Sequence, residues 1–170
     1  MSQPTPTPTL TLSVPRSTAP STAYRLTDGV RRLSHRAARP ILLLGLAGIM
    51  IWFGAPKLFP GASPAEAIGV DTVTFLTGGV VNGDEARLAL GLLEVSLGAA
   101  LLIPRLRFWA LLAVIGHMCA TFTPLVIFPA LTWHAPFVGS LEGQYIIKNI
   151  LIIGAVLVLL GAPDDLKNRR

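Results

Sequence analysis

The sequence contains almost no cysteine. Cys119 is its only cysteine, so the chain can form no intrachain disulfide, CxxC pair or cysteine-based metal site. Any redox chemistry must therefore come from a bound cofactor or from a partner, and not from thiols of this chain. P-loop, GxSxG and HExxH motifs are absent too. We therefore predict no catalytic residues and no metal site, and we do not expect an enzyme that acts on its own.

Charged residues are also scarce, at 14% of the chain against 52% hydrophobic residues. The mean hydropathy of +0.62 is too high for a soluble domain of this size. The 170 residues have the length of a single domain. This composition predicts a protein whose principal partner is the lipid bilayer.

The few charges are unevenly placed. The formal net charge is +5, yet eleven of the 14 basic residues lie in the first 39 residues, in the loop Arg105–Arg107 and in the tail Lys167–Arg170. This distribution is typical of loops that stay on the cytoplasmic side of a membrane. Because no basic patch is interleaved with aromatic residues, we expect no nucleic-acid partner.

Composition changes along the chain predict four segments. Residues 1–23 are rich in Pro, Thr and Ser and are predicted to be a disordered tail. Residues 24–39 alternate apolar residues at helical spacing with arginines. This juxtamembrane segment suits either a basic amphipathic helix on an anionic membrane surface or a positive flank of the first span. Residues 40–161 are the transmembrane domain, and residues 162–170 are a charged cytoplasmic tail.

The transmembrane domain contains four apolar segments that are long enough to cross a bilayer. They lie at about residues 41–59, 88–103, 108–130 and 145–161. The first connecting loop is acidic and the second is basic, as expected when they face opposite sides of the membrane. The sequence thus predicts an all-α integral membrane four-helix bundle with both termini in the cytoplasm, and it leaves a homo-oligomer open.

Glu94 interrupts the second apolar segment, Leu88–Ile103. A carboxylate within a membrane-length helix needs a partner or a function. Gly91 and Gly98 share its helical face, where small residues allow a neighbouring helix to approach closely. We therefore expect Glu94 to point into the bundle and not towards lipid.

Two lysines are predicted to lie at a depth similar to that of Glu94. With a rise of about 1.5 Å per residue, Lys57 and Lys148 fall in the outer third of the bundle, together with Gln144 and Asn149. Three interpretations of this polar cluster remain open. It is a structural ion pair that fixes helix register, a pocket for a head group, quinone or small anion, or a set of lysines that reach the surface without meeting Glu94.

His117 lies near the middle of the third predicted span, with Thr121 one turn further on. The favoured interpretation is a buried histidine satisfied by Thr121 or by a backbone carbonyl. A hydrogen bond to a quinone carbonyl is the functional alternative, with Thr121 and Trp52 as further candidate quinone contacts. Haem ligation by His117 and Met50 is a third interpretation, since His and Met are known axial ligands.

Three motifs resemble, in the same order, the DoxX-like superfamily of small four-helix bacterial membrane proteins, and most closely its YkgB/RclC-type group. They are Trp52–Phe59 (WFGAPKLF), Gly91–Gly98 (GLLEVSLG) and Gly143–Asn149 (GQYIIKN). The similarity covers residues 40–161. It implies a multi-pass protein of the bacterial cytoplasmic (inner) membrane.

By this resemblance, Lys57, Glu94 and Lys148 are the characteristic polar residues. Related members are linked to thiosulfate:quinone oxidoreductase, as its smaller membrane subunit, and to oxidoreductase assemblies that respond to oxidative or reactive-chlorine stress. We therefore expect an accessory subunit of a membrane redox system that contacts quinone or an oxidoreductase partner. A small transporter or permeability factor using the Glu/Lys cluster, and a structural scaffold, are the alternatives. Asn149 stands where the family often has aspartate, so no proton-relay role carries over to it.

Overall fold

A computed structural model of the chain describes residues 22–161, with side chains from residue 27 onward. The tails predicted at residues 1–23 and 162–170 lie outside this range, apart from the first two residues of the first helix.

The chain divides into two compact units, Met1–Arg36 and Ala37–Arg170. In the first unit, Arg32 forms an ion pair with Asp28, one helical turn before it. The predicted juxtamembrane segment is helical. The second unit contains all the contacts described below.

Helices make up most of the described chain. Their bounds are α1 (Thr22–Gly54), α2 (Glu66–Leu76), α3 (Gly83–Leu102), α4 (Arg107–Thr121), α5 (Pro124–Ile127), α6 (Pro129–Thr132), α7 (Leu141–Ile147) and α8 (Asn149–Gly161). A 3-10 turn (Ala55–Leu58) follows α1 directly. A small antiparallel hairpin, β1 (Trp133–Ala135) and β2 (Val138–Gly139), joins α6 to α7.

Three stretches are long and apolar enough to cross a membrane: Thr27–Leu58, Arg107–Ile127 and Leu141–Gly161. They overlap three of the four predicted spans. The other predicted span belongs to α3, whose 20 residues extend over about 30 Å. Its composition is less apolar, because its first turn is acidic and Glu94 lies in its second half.

Prolines and a capping serine determine where the later helices begin. α4 ends at Thr121, and Pro124 and Pro129, which lack an N–H donor, start the short helices α5 and α6. The predicted span at residues 108–130 is therefore one main helix followed by two short ones. At the start of α7, the Oγ of Ser140 accepts a hydrogen bond from the backbone N–H of Gly143, at 3.1 Å.

Glycines bring α1 and α3 into close contact. A Cβ added at Gly54 would lie 2.7 Å from the Cβ of Glu94, and one added at Gly98 would lie 2.6 Å from the Cγ1 of Ile51. A Cβ at Gly91 would meet the 3-10 turn at 3.0 Å. The glycine face of α3 therefore receives the end of α1, as the sequence spacing predicts.

The apolar core lies beside this contact. α3 packs against α2, α4 and the 3-10 turn, and α4 packs against α8. The fully buried side chains of the core include Leu101, Val114 and Val156. This packing places the end of α1 and the middle of α3 next to the C-terminal half of α4, where the polar residues lie.

Candidate functional site

Lys57 and Glu94 form a buried ion pair. The Nζ of Lys57 donates to the Oε2 of Glu94 at 2.5 Å and to the backbone carbonyl of Phe53 at 2.9 Å. Only 6% of Lys57 and 8% of Glu94 is exposed. The 3-10 turn holds Lys57 here because Gly54 and Gly91 allow the two backbones to touch. Each charge therefore compensates the desolvation of the other.

His117 joins Lys57 and Glu94 in one buried cluster. Its Nε2 lies 3.2 Å from the Oε1 of Glu94, so the carboxylate is shared between a lysine and a histidine. The favoured sequence interpretation, with Thr121 or a backbone carbonyl as partner, is not what the structure shows. His117 lies one turn before the end of α4 and at the middle of the apolar stretch Arg107–Ile127, in agreement with its predicted depth.

Lys148 lies near the cluster without joining it. Its Nζ is 3.1 Å from the centroid of the Tyr145 ring and 5.5 Å from that of Phe53. The side chain is exposed, and it forms no ion pair with Glu94. Cation–π contacts, and not a carboxylate, are thus the described interactions of this ammonium group.

Among the remaining predicted site residues, Asn149 and Thr121 contact each other, whereas Gln144 and Trp52 lie at the surface. The Nδ2 of Asn149 donates to the Oγ1 of Thr121 at 3.0 Å, and this links α8 to α4. Gln144 is exposed and donates to the carbonyl of Gly139, at 3.0 Å. Trp52 is 77% exposed and lies on the outside of α1, so it does not contribute to the site.

Arg87 is a buried polar residue that sequence reasoning did not single out. It is 4% exposed, and its guanidinium donates to the carbonyl of Lys57 at 2.6 Å and to the Oδ1 of Asp84 at 3.1 Å. The Oε1 of Glu66, in the first turn of α2, lies 3.8 Å from its Nε. Its position as the lone basic residue of an acidic loop, three residues after Asp84, was the available signal.

A cavity of about 490 Å³ opens beside the ion pair. Its polar lining consists of Lys57, Thr72, Glu94, His117, Thr121, Tyr145, Lys148 and Asn149, and side chains such as Ile49, Phe53, Ile68, Leu90, Met118 and Ile152 make its apolar wall. Leu93 and Leu151, which are exposed, also line it. The volume and the few convergent polar groups are typical of a small-molecule site.

The cluster can hold and orient a ligand through hydrogen bonds, and its protonatable groups line the cavity in which the ligand would lie. Glu94 orients the His117 ring, and Lys57 neutralises Glu94, in an environment of low polarity. Among residues 22–161, no group of three or more His, Cys, Asp or Glu side chains is placed to hold a metal ion. Met50, the proposed haem partner of His117, lines the same cavity.

Comparison with known proteins identifies no relative of this chain. No protein-family model, no curated protein and no solved structure matches this chain.

Proposed function

We propose that the chain is a multi-pass protein of the bacterial cytoplasmic membrane, built as a four-helix bundle with both termini in the cytoplasm. Three membrane-length stretches and the length of α3 support this proposal. The buried charge of α3 is compensated by Lys57, as expected for a helix that faces protein rather than lipid. The basic loop after α3 and the acidic loop before it fit opposite sides of the membrane.

We further propose that the protein is a DoxX-like accessory subunit of a membrane redox or oxidative-stress system, and that its cavity binds a quinone. One observation carries this proposal. An apolar cavity of about 490 Å³ ends at the Lys57–Glu94–His117 cluster. A quinone has the matching shape, with a lipophilic body and oxygen atoms at one end. When bound, it would supply the two-electron chemistry that the lone Cys119 of this chain cannot.

The side chains of the cavity divide the recognition between them. The apolar wall from α1, α2 and α8 would hold the ring and the start of its tail. His117 would lie against a ring oxygen, and Glu94 would keep the imidazole in one orientation. Lys57 would keep the net charge of the cluster near zero.

The test is to purify the protein gently from its native membrane and to measure its quinone content by mass spectrometry and its absorbance spectrum. We expect near-stoichiometric quinone, which Glu94→Gln and His117→Leu reduce severalfold. His134→Leu is the matched control, because His134 is an exposed histidine of the hairpin and does not line the cavity.

A spectrum without quinone, with bulk lipid alone in the mass spectrum, would contradict the quinone proposal. Loss of anion or solute flux in liposomes on Glu94→Gln would then support the transporter alternative. An oxidoreductase that copurifies with the protein, and that is lost together with quinone, would identify the partner of the redox system.

A further inference from the structure

One ring nitrogen of His117 has no hydrogen-bond partner among the described residues. Its Nε2 is engaged by Glu94, whereas no described residue contacts Nδ1 within hydrogen-bonding distance. The side chain is only 5% exposed. In the described part of the chain, however, no fully buried side-chain nitrogen or oxygen lacks a hydrogen-bond partner. Nδ1 must therefore face accessible space, and the space that His117 lines is the cavity.

The partners of Glu94 determine which nitrogen carries the proton. A carboxylate in an ion pair with Lys57 can only accept hydrogen bonds, so Nε2 of His117 must be the donor. In the neutral imidazole, Nδ1 then keeps its lone pair and is an acceptor. A second ring proton would place a positive charge beside a mostly apolar wall, and the one carboxylate of the described residues that contacts the ring is already paired with Lys57.

We propose that His117 makes this cavity selective for neutral lipophilic molecules that carry a hydroxyl group, such as alkylphenols and hydroquinones, whose O–H donates to Nδ1. This inference rests on the proposed ligand-binding function and specifies the form of the ligand. It assigns the reduced, hydroxyl-bearing form to the site in preference to a carbonyl form. A carbonyl oxygen cannot donate a hydrogen bond, so it would leave the lone pair of Nδ1 unsatisfied.

Selectivity of this kind has a known physical basis. A site with a buried acceptor discriminates strongly against an analogue that lacks the donor, because the acceptor is then desolvated without compensation. Most of the remaining cavity wall is apolar, and the side chains of Thr121 and Asn149 are hydrogen-bonded to each other. Two ligands of the same shape should therefore differ in affinity mainly through the hydroxyl proton.

A matched ligand pair tests the proposal. A long-chain para-alkylphenol and its methyl ether are titrated into the full-length protein in lipid nanodiscs. We expect the phenol to bind about tenfold more tightly or better, as a lost buried hydrogen bond implies. His117→Leu should remove this preference, and His134→Leu, outside the cavity, should retain it.

A second measurement needs no variant of His117. Nitrogen-15 NMR of histidine-labelled protein reports which ring nitrogen is protonated, and His35→Leu and His134→Leu assign the remaining two of the three histidines. We expect Nε2 of His117 to be protonated and Nδ1 to be bare. The Nδ1 resonance should move when the alkylphenol is added and stay in place with the ether.

The outcomes separate the two proposals. Equal affinity for the phenol and the ether, or a protonated Nδ1, would overturn the role of His117 while the cavity remained a ligand site. If neither probe binds and no quinone copurifies, both the inference and the proposed function fall.

Discussion

At the scale of single residues, Glu94 owes its place in an apolar helix to two partners. Lys57 compensates its charge, and His117 occupies its other oxygen. Neither carboxylate oxygen is left without a hydrogen bond, which is the condition for keeping an ionised group in a poorly polar environment. The same arrangement leaves one histidine nitrogen without a described hydrogen-bond partner, so the ion pair is compatible with the ligand site that we propose.

A double-mutant cycle measures the Lys57–Glu94 contact. Lys57→Met or Glu94→Leu alone leaves an uncompensated buried group, and we expect each to lower the free energy of unfolding by about 3–5 kcal/mol. The double variant should lose less than the sum, by about 1–3 kcal/mol. Chemical unfolding in detergent micelles gives these values. Strict additivity would mean that the two side chains do not interact.

The exposed pair Arg32–Asp28 is the internal control for that cycle. Its side chains are 67% and 40% exposed, and solvent screens their interaction. We expect Asp28→Asn to change the free energy of unfolding by less than about 0.5 kcal/mol.

Arg87 gives a second prediction at this scale. Its guanidinium joins the 3-10 turn to the first turns of α2 and α3, through Lys57, Glu66 and Asp84. Arg87→Met should cost about 3 kcal/mol of unfolding free energy, because a buried carbonyl and two carboxylates lose a charged donor. Arg87→Lys should recover little of this loss, since an ammonium group cannot reproduce the planar array of N–H donors of the guanidinium group. Stability equal to the wild type in either variant would contradict the role of Arg87 as a link between these elements.

At the scale of helices, regular spacing and irregular breaks differ in how well they can be read from the sequence. Gly91, Glu94 and Gly98 share a face through simple helical periodicity, and that face does receive α1. The end of α4 was harder to foresee, because Phe122 and Thr123 suit a helix and the break comes from the prolines that follow. The missed contact between His117 and Glu94 has another cause, because both residues lie nine positions from the turn that joins their predicted spans, and this equal depth was already present in the sequence.

Lys148 shows a different limit of sequence reasoning. Depth arithmetic puts its Cα near Glu94, but a flexible stem can direct the ammonium group elsewhere. Here the rings of Tyr145 and Phe53 attract the cation. Tyr145 lies three residues before Lys148 on the same helical face, so the competing contact was present in the sequence.

The glycine contacts of α1 support a prediction with its own control in the same helix. A Cβ at Gly54 would lie within 3.0 Å of three atoms of α3, two of them backbone atoms that cannot move aside easily. Gly54→Ala should therefore lower the free energy of unfolding by about 1–3 kcal/mol. Gly48 has open space around it. Gly48→Ala should be neutral or stabilising by up to about 1 kcal/mol.

Thermal or chemical unfolding of both glycine variants in the same detergent makes the comparison direct. If Gly54→Ala is as stable as Gly48→Ala, then α1 and α3 do not approach as closely as described, and the position of Lys57 beside Glu94 would lose its structural basis.

At the scale of the whole molecule, the cavity requires contributions from helices that are far apart in the sequence. α1 supplies Phe53, α3 supplies Glu94, α4 supplies His117 and α8 supplies Asn149, and the 3-10 turn after α1 supplies Lys57. Three of these four helices belong to stretches that are apolar enough to span a membrane. The path of α3 therefore decides the topology. If α3 crosses, the loops before and after it lie on opposite sides of the membrane.

Labelling of single cysteines with a membrane-impermeant maleimide tests this path. In a Cys119→Ser background, Ala62→Cys marks the loop before α2, Leu106→Cys the turn after α3, and Pro136→Cys the tip of the hairpin. With four crossings, we expect Ala62→Cys and Pro136→Cys to react in intact cells and Leu106→Cys to react only after the membrane is opened. This orientation follows from the basic residues Arg105 and Arg107.

A three-crossing chain gives a different pattern. If α3 stays on one side of the membrane, the positions at Ala62 and Leu106 must react together, whichever side they face. Pro136→Cys would then react on the opposite side, because α4 still separates it from Leu106. That result would place Glu94 outside the bilayer core, where water competes for its hydrogen bonds and the ion pair with Lys57 would contribute much less to stability. The labelling pattern therefore also determines how large an effect the Lys57–Glu94 cycle can show.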